Sequence, residues 1–323
     1  MPLLSAVVPC FNEEDSLPLF LSELDKVCKK MRDEWPDLSF EAVLVDDGSS
    51  DGTLTIMRNA VSNAEYGFHV RWISFSRNFG KEAALYAGLR HSHGDYVATL
   101  DADMQDPPSL LPQMYSILQT EDYDNVATRR QDRKGEPPIR SWFAHRFYNL
   151  INHISNADIV DGARDFRLMK RPMVDAVLSM CEYNRFSKGI YGWVGFKTKW
   201  ISYENVDRVA GNTKWSFLKL FAYALDGIVA FSTAPLVLAS LIGVLLCVVA
   251  FVLVIFIVVR TLMFGDPVAG WPSLICAITF IGGAQLLSVG ILGQYLAKTY
   301  LETKRRPIYI VRLSSEPENN AQK

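Results

Sequence analysis

Cysteine is scarce in this chain and follows no pattern. Cys10, Cys28, Cys181, Cys247 and Cys276 show no C-x-x-C spacing. That excludes a disulfide framework and a cysteine-based zinc site, and it fits a reducing compartment. Histidine is equally sparse; His91 and His93 precede a Gly-Asp turn and read as solvated loop residues. Charge of one sign is missing as well. The formal charge is -2, so the chain lacks the basic footprint of a general nucleic-acid binder. The first apolar run is short and meets Asn12-Glu13-Glu14-Asp15 at once, so no signal peptide is expected. Apart from the polar tail after Arg312, no repeat or low-complexity tract is evident. What is present is length and apolar character: 323 residues, 49% of them hydrophobic, allow a sizeable core and about two domains.

The apolar residues are concentrated. No charge occurs between Asp226 and Arg260 or between Asp266 and Lys298, and each gap exceeds the roughly 20 residues that a spanning helix needs. Two membrane helices, about 229–259 and 271–297, are therefore expected within 228–298, joined by a short loop. Lys298, Lys304, Arg305 and Arg306 follow them, Lys214 and Lys219 precede them, and the connecting loop offers only Arg260. The positive-inside rule then places both termini in the cytoplasm, with 299–323 as a cytoplasmic tail; the plasma membrane is the expected location. Trp215, Leu218, Ala222 and Leu225 recur at helical spacing, which suits a juxtamembrane amphipathic helix over 201–227.

Residues 1–200 alternate strand and helix patterns. Leu4–Pro9, Phe40–Val45, Val70–Phe75 and Asp95–Leu100 read as strands. Helices are expected after Leu17, over Asp51–Ala60 and over Gly80–Arg90. This is an α/β pattern that predicts a mostly parallel sheet with helices on both faces and a ligand cleft at the carboxyl ends of the strands. Those ends are polar: Pro9-Cys10-Phe11-Asn12-Glu13, Asp46-Asp47-Gly48-Ser49, Ser76-Arg77-Asn78-Phe79-Gly80-Lys81 and Asp101-Ala102-Asp103. A carboxylate there can accept hydrogen bonds from a base N–H or a ribose hydroxyl. Asp47-Gly48-Ser49 also reads as a tight turn leading to a helix cap. On extended chain Asp101 and Asp103 leave from one side and repel unless a cation sits between them. Hard oxygen ligands suit Mg²⁺ or Mn²⁺, which could hold a substrate diphosphate; a polar turn is the other reading.

Taken together, Pro9-x-x-Asn12-Glu13-Glu14, Asp46-Asp47-Gly48-Ser49-x-Asp51-Gly52-Thr53, Arg77-Asn78-Phe79-Gly80-Lys81 and Asp101-x-Asp103-x-Gln105-Asp106-Pro107-Pro108 resemble the motifs of family 2 glycosyltransferases. With the apolar hairpin, the chain is similar to that family's polyprenyl-phosphate members, such as the bactoprenol glucosyltransferases and dolichyl-phosphate mannosyltransferases. The resemblance runs from Leu3 to about Pro307 and implies a GT-A-like fold. It implies a metal at Asp101, Asp103 and Gln105. It implies a nucleotide-sugar site at Pro9, Glu13 and Asp47, to which Asn12, Asp46, Lys81, Asp101, Ala102 and Asp103 are added from the same motifs.

In such a reaction charge accumulates on the departing diphosphate, where a divalent cation stabilises it. A polyprenyl phosphate, with a second pKa near ~6 by analogy with phosphoryl side chains, arrives largely anionic. It attacks directly with little need of a base, and a single displacement inverts the anomeric carbon. Arg164-Asp165-Phe166-Arg167 resembles the family's Gly-Asp-Phe-Arg segment, with Arg in place of Gly. On that match Arg167 binds the acceptor phosphate, Arg164 lies with it, and Asp165 is the base or acceptor-orienting carboxylate. Asp165 and Asp103 are thus the catalytic candidates. Further cations expected at the acceptor are Arg129, in the basic stretch 129–140, Arg185, in Asn184-Arg185-Phe186-x-Lys188-Gly189, and Arg208 and Lys214, in Arg208-x-x-Gly211-x-Thr213-Lys214-Trp215.

Two rivals stand beside this reading. A processive polysaccharide synthase is disfavoured by the lack of a Gln-x-x-Arg-Trp motif. A non-catalytic membrane scaffold could pack through Gly282, Gly283, Gly290 and Gly293, but leaves the polar strand ends without a purpose. UDP-glucose is the first choice of donor; UDP-N-acetylglucosamine, GDP-mannose and an aminoarabinose donor are alternatives. A homo-oligomer is expected.

Overall fold

The computed structural model describes residues 1–63, 65–130, 163–203, 234–264 and 270–316. Its first half alternates β1 (Leu3–Cys10), α1 (Leu17–Glu34), β2 (Ser39–Asp46), α2 (Thr53–Val61), β3 (His69–Phe75), α3 (Lys81–His91) and β4 (Tyr96–Thr99). Then come α4 (Leu111–Thr120), β5 (Asn125–Arg130), β6 (Ala163–Lys170), α5 (Arg171–Ser179), α6 (Ser187–Trp193) and β7 (Thr198–Tyr203). Two long helices, α7 (Ala234–Phe264) and α8 (Trp271–Thr303), precede a last strand, β8 (Val311–Ser314).

One eight-stranded sheet runs in the order β7-β5-β6-β4-β1-β2-β3-β8. Its centre, β4-β1-β2-β3, is parallel, in a register that sets Val7 beside Val43 and Thr99. These strands are covered on both faces, which explains why they read as unbroken apolar runs rather than alternations. On one face α1 buries Leu17, Phe20, Leu21, Leu24, Val27, Cys28 and Met31, a spacing of three and four that forms one stripe. On the other, α3 approaches β1 so closely that a Cβ on Gly88 would lie 2.2 Å from a Val7 methyl.

The expected strands and helices of the first half are found to within two residues. The sheet is mostly parallel, as expected, with two strands reversed: β6 is antiparallel to both β4 and β5, and β8 is antiparallel to β3. Because β6 runs backwards, its first residues lie at the same edge as the carboxyl ends of β4 and β5. That brings Asp165 and Arg167 toward the strand ends.

The tail is also more than a polar extension. After α8 the chain returns to the sheet, where Ser315 and Trp72 exchange backbone and hydroxyl hydrogen bonds of 2.9 Å. Tyr309 is buried against Phe75, and Glu316 meets the buried Arg71 at 2.5 Å. His91 consequently closes α3 half-buried against the Tyr309 hydroxyl, at 3.3 Å, rather than standing in a solvated loop.

Helices α7 and α8 pack on each other and contain segments, Pro235–Leu253 and Phe280–Thr303, long and apolar enough to cross a membrane. α7 runs to Phe264, beyond the expected 259, and α8 starts at the expected Trp271 and runs to Thr303, beyond the expected 297. Among the described residues, a Cβ added to Gly282, Gly283, Gly290 or Gly293 would meet no atom within 4 Å. The first residues of the expected amphipathic helix 201–227 instead end strand β7, at Tyr203; its remainder, with Arg208 and Lys214, and the basic loop 131–140 lie outside the described residues.

Candidate active site

The first two polar strand ends are laced together through backbone amides. Asn12 takes a left-handed conformation (φ 56°), which asparagine tolerates better than most residues. Its N–H donates to Ser49 Oγ at 3.0 Å and its Oδ1 accepts from Ser50 N at 2.9 Å. Glu13 N donates to Thr53 Oγ1 at 2.9 Å, while the Ser16 hydroxyl donates to the Glu13 carboxylate. Pro9 is half-buried at the end of β1.

Asp46 and Asp47 part company. Asp46 is buried and spent on the fold, accepting from Ser49 N at 2.8 Å and Ser74 Oγ at 2.6 Å. Asp46, expected at the nucleotide, thus holds the turn at the end of β2. Asp47 turns toward the β3–α3 loop, where its two oxygens accept from Phe79 N at 2.6 Å and Gly80 N at 3.0 Å. Burial pushes its pKa up to about 6, against the lowering effect of those two amides. The loops come so close at Gly48 (φ 70°) that a Cβ would lie 2.5 Å from the Arg77 carbonyl carbon, so only glycine fits.

The Asp-x-Asp stretch does not continue the strand. β4 ends at Thr99, and the chain turns through Asp101–Gln105, with Met104 at φ 60°. Strand alternation therefore does not put the two carboxylates on one side; the turn does the placing. Asp103 Oδ1 accepts from Gln105 N at 3.1 Å. Ala102 is buried and offers only backbone.

Lys81, at the start of α3, joins the two halves of the site: its ammonium lies 2.8 Å from the Asp101 carboxylate and 2.6 Å from that of Asp165. Burial opposes the lysine's charge, but the two carboxylates overcome it and hold its pKa well above the ordinary value. Burial would likewise raise Asp165, yet Lys81, Lys188 and Arg167 hold it well below the usual carboxylate range. Asp165 is therefore a persistent anion and a weak base. The Thr99 hydroxyl donates to its backbone carbonyl, tying β6 to β4.

The arginines expected at the acceptor divide sharply. Arg167 is buried, with its guanidinium 3.5 Å from the centre of the Tyr191 ring and its Nε without a hydrogen-bond partner among the described residues. Burial lowers its pKa. Arg164 is instead committed to the wholly buried Asp106 at 2.9 Å, with the Gln105 amide oxygen at 3.4 Å, and the Tyr203 hydroxyl donates to the same Asp106. It fastens the Asp-x-Asp turn. Arg185 is engaged within the fold. Its two terminal nitrogens donate to the Val177 and Met180 carbonyls at the end of α5, and it stacks on Tyr86 at 4.4 Å. Such carbonyls are left open by a helix end and attract a cation. Arg129 is exposed at the end of β5 and donates to Ser202 Oγ at 3.0 Å.

Several participants carried no sequence signal of their own. Tyr191 and Tyr203 are ordinary aromatic positions until tertiary contacts place them under Arg167 and beside Asp106. Glu82 accepts from Ser187 N at 3.0 Å and from its hydroxyl, which seats α6 against α3; burial raises its pKa, opposed by the Ser187 hydrogen bond.

Asp101, Asp103 and the Gln105 amide form an all-oxygen set in one turn. Among the described residues no group of three His, Cys, Asp or Glu has the spacing of a metal cage. Two carboxylates suit a Mg²⁺ or Mn²⁺ ion that keeps waters and takes its remaining ligands from substrate phosphate, so the residues fit such an ion.

A parallel four-stranded centre, acidic turns at its carboxyl edge and an antiparallel strand feeding that edge define a GT-A-like α/β site. The chain belongs to glycosyl transferase family 2, whose model matches residues 5–178. It is 41% identical over 309 residues to a prophage bactoprenol glucosyl transferase homolog of Escherichia coli, covering 96% of this chain and 98% of that one. Identity to the bactoprenol glucosyl transferase of Shigella phage SfX is 40% over 309 residues, again 96% and 98%. With the putative glycosyltransferase CsbB of Bacillus subtilis it is 39% over 315 residues, covering 98% and 93%. Among solved structures, a mannosyltransferase from Pyrobaculum calidifontis, in complex with GDP-Man and Mn²⁺, aligns over 93% of this chain and 85% of its own, with a TM-score of 0.46 and 17% identity.

Proposed function

We propose that this glycosyltransferase moves glucose from UDP-glucose to a membrane polyprenyl phosphate, undecaprenyl phosphate in the first instance, with inversion at the anomeric carbon. The observation that carries the reading is the Lys81 bridge, which sets the Asp-x-Asp carboxylate Asp101 and the Arg164–Arg167 segment's Asp165 on one ammonium. The names of the relatives support glucose as the sugar and a bactoprenol-type acceptor.

Each residue then has a task. Asp47 accepts from the uracil N–H while Pro9, Asn12 and Glu13 shape the wall beside it. Asp101, Asp103 and Gln105 hold Mg²⁺ or Mn²⁺, which when bound neutralises charge on the diphosphate. Arg167 receives the acceptor phosphate in a site where few waters compete. Asp165, an anion throughout the working range, orients the acceptor through Lys81 and Lys188 instead of abstracting a proton. None is needed, since the phosphate is already ionised.

Residues 1–200 form the catalytic unit, and α7 and α8 cross the membrane as a hairpin with both termini cytoplasmic. Return of β8 to the catalytic sheet supports placing the segments on either side of the hairpin in one compartment. Packing between copies through the α8 glycines would make a homo-oligomer. The test incubates membranes containing the protein with labelled UDP-glucose, UDP-N-acetylglucosamine, GDP-mannose and an aminoarabinose donor, each with undecaprenyl phosphate. A glucosyl lipid is expected; a lipid product with another sugar, or none, refutes the assignment.

A further inference from the structure

The last turn of α8 contains an acid where one is electrostatically out of place. Glu302 is the sole acidic residue of that helix, and it stands near the C-terminus, the end whose open carbonyls disfavour negative charge. Its carboxylate accepts three backbone hydrogen bonds from the loop between α5 and α6: Tyr183 N at 2.9 and 3.1 Å, and Asn184 N at 3.2 Å. The other end of that loop is fastened to helices α5 and α3, through Arg185 on the α5 carbonyls and Glu82 on Ser187. Helix α6 follows at once. It carries Tyr191 beneath Arg167, and Lys188, whose charge acts on Asp165.

We propose that Glu302 is a positioning residue that couples the apolar hairpin to the acceptor-binding arm. It sets where Arg167 stands relative to a phosphate rising from the bilayer. The inference rests on the polyprenyl-phosphate reading above. A carboxylate gripping backbone amides fixes main chain rather than a side-chain tip, so its loss lets the loop drift from the hairpin without disturbing Arg167, Tyr191 or the donor turn.

The experiment compares full-length wild type, Glu302→Gln and Glu302→Ala in phospholipid vesicles, using the donor that labels wild type. One acceptor is undecaprenyl phosphate in the bilayer; the other is geranyl phosphate free in solution. Glu302→Ala should raise KM for the embedded acceptor about tenfold, the scale of one charge-assisted hydrogen bond. Donor KM and turnover with geranyl phosphate should be unchanged, and Glu302→Gln, which keeps one acceptor oxygen, should lie between. Amide exchange at Tyr183 and Asn184 should quicken in the Ala variant. Unchanged KM for undecaprenyl phosphate, equal loss on both acceptors, or unchanged amide protection would overturn the inference. Wild type that yields no lipid product with any donor overturns the acceptor reading, and this inference falls with it.

Discussion

Carboxylates and cations divide the site between them, and the two are held in different ways. On the side proposed for the donor Asp46, Asp47 and Asn12 grip backbone N–H groups of neighbouring loops, at 2.6–3.0 Å. In the segments proposed for the acceptor arginines lie over tyrosine rings or reach across elements: Arg167 to Tyr191, Arg185 to Tyr86, Arg164 to Asp106. Backbone anchoring gives the donor half a shape that exists before substrate arrives. The acceptor half is built from long side chains whose roles depend on what folds up against them. Lys81 is the place where the halves meet.

Removing charge from the donor turn should produce the largest effect. Asp103→Asn is expected to lower turnover by about 10³-fold, the scale of losing one oriented charge-stabilising group, with the thermal unfolding profile retained. Full turnover of this variant in saturating Mn²⁺ would break the division, because the Asp-x-Asp turn would then not serve the diphosphate.

Arg164 sharpens the comparison, since it sits in the acceptor segment yet fastens the donor turn. Arg164→Ala leaves Asp106 buried without its cation and should cost about 1–3 kcal/mol of stability. Thermal denaturation reads this directly, and adding Asp106→Asn should recover part of it. A variant as stable as wild type with a raised acceptor KM would return Arg164 to the acceptor.

A smaller effect is expected from pH. Asp47 in the folded protein has a pKa near 6, raised from 3.8. The folded state thus holds this proton more tightly than the unfolded chain. Its contribution to stability is greatest below pH 4 and is lost as pH rises toward 6. Donor affinity runs the opposite way, because a base N–H needs the ionised carboxylate. Dissociation constants for UDP should rise on acidification through pH 6, by about tenfold at pH 5. Asp47→Asn should flatten that profile, and a profile unchanged by the substitution would assign the titration elsewhere.

The donor half was legible in the sequence because its determinants are local. Strands buried on both faces stay apolar throughout, and a carboxylate followed by Gly-Ser marks a strand end that turns into a helix. Even there the alternation argument for Asp101 and Asp103 failed, since β4 ends at Thr99 and the pair stands on the turn that follows. The acceptor half was legible only as a supply of cations. Nothing near Arg185 in sequence says that it will meet the Val177 carbonyl, and Arg164 finds Asp106 58 residues away. β8 went unseen for a related reason: Val311-Arg312-Leu313-Ser314 is too short and polar to signal a strand until β3 offers its edge.

The central claim, that donor and acceptor are bound by separate halves, is tested most directly by calorimetric titration of UDP-glucose into Arg167→Ala and Asp47→Ala, beside transfer kinetics for both. Arg167→Ala should bind the donor within about twofold of wild type while transfer to undecaprenyl phosphate falls about 100-fold, the scale of a buried charge-assisted contact. Arg167→Lys should rescue it only in part, because an ammonium does not reproduce the guanidinium fork. Asp47→Ala should weaken donor binding first. If Arg167→Ala loses donor affinity as badly as Asp47→Ala, Arg167 belongs to the diphosphate and the two-site account is wrong.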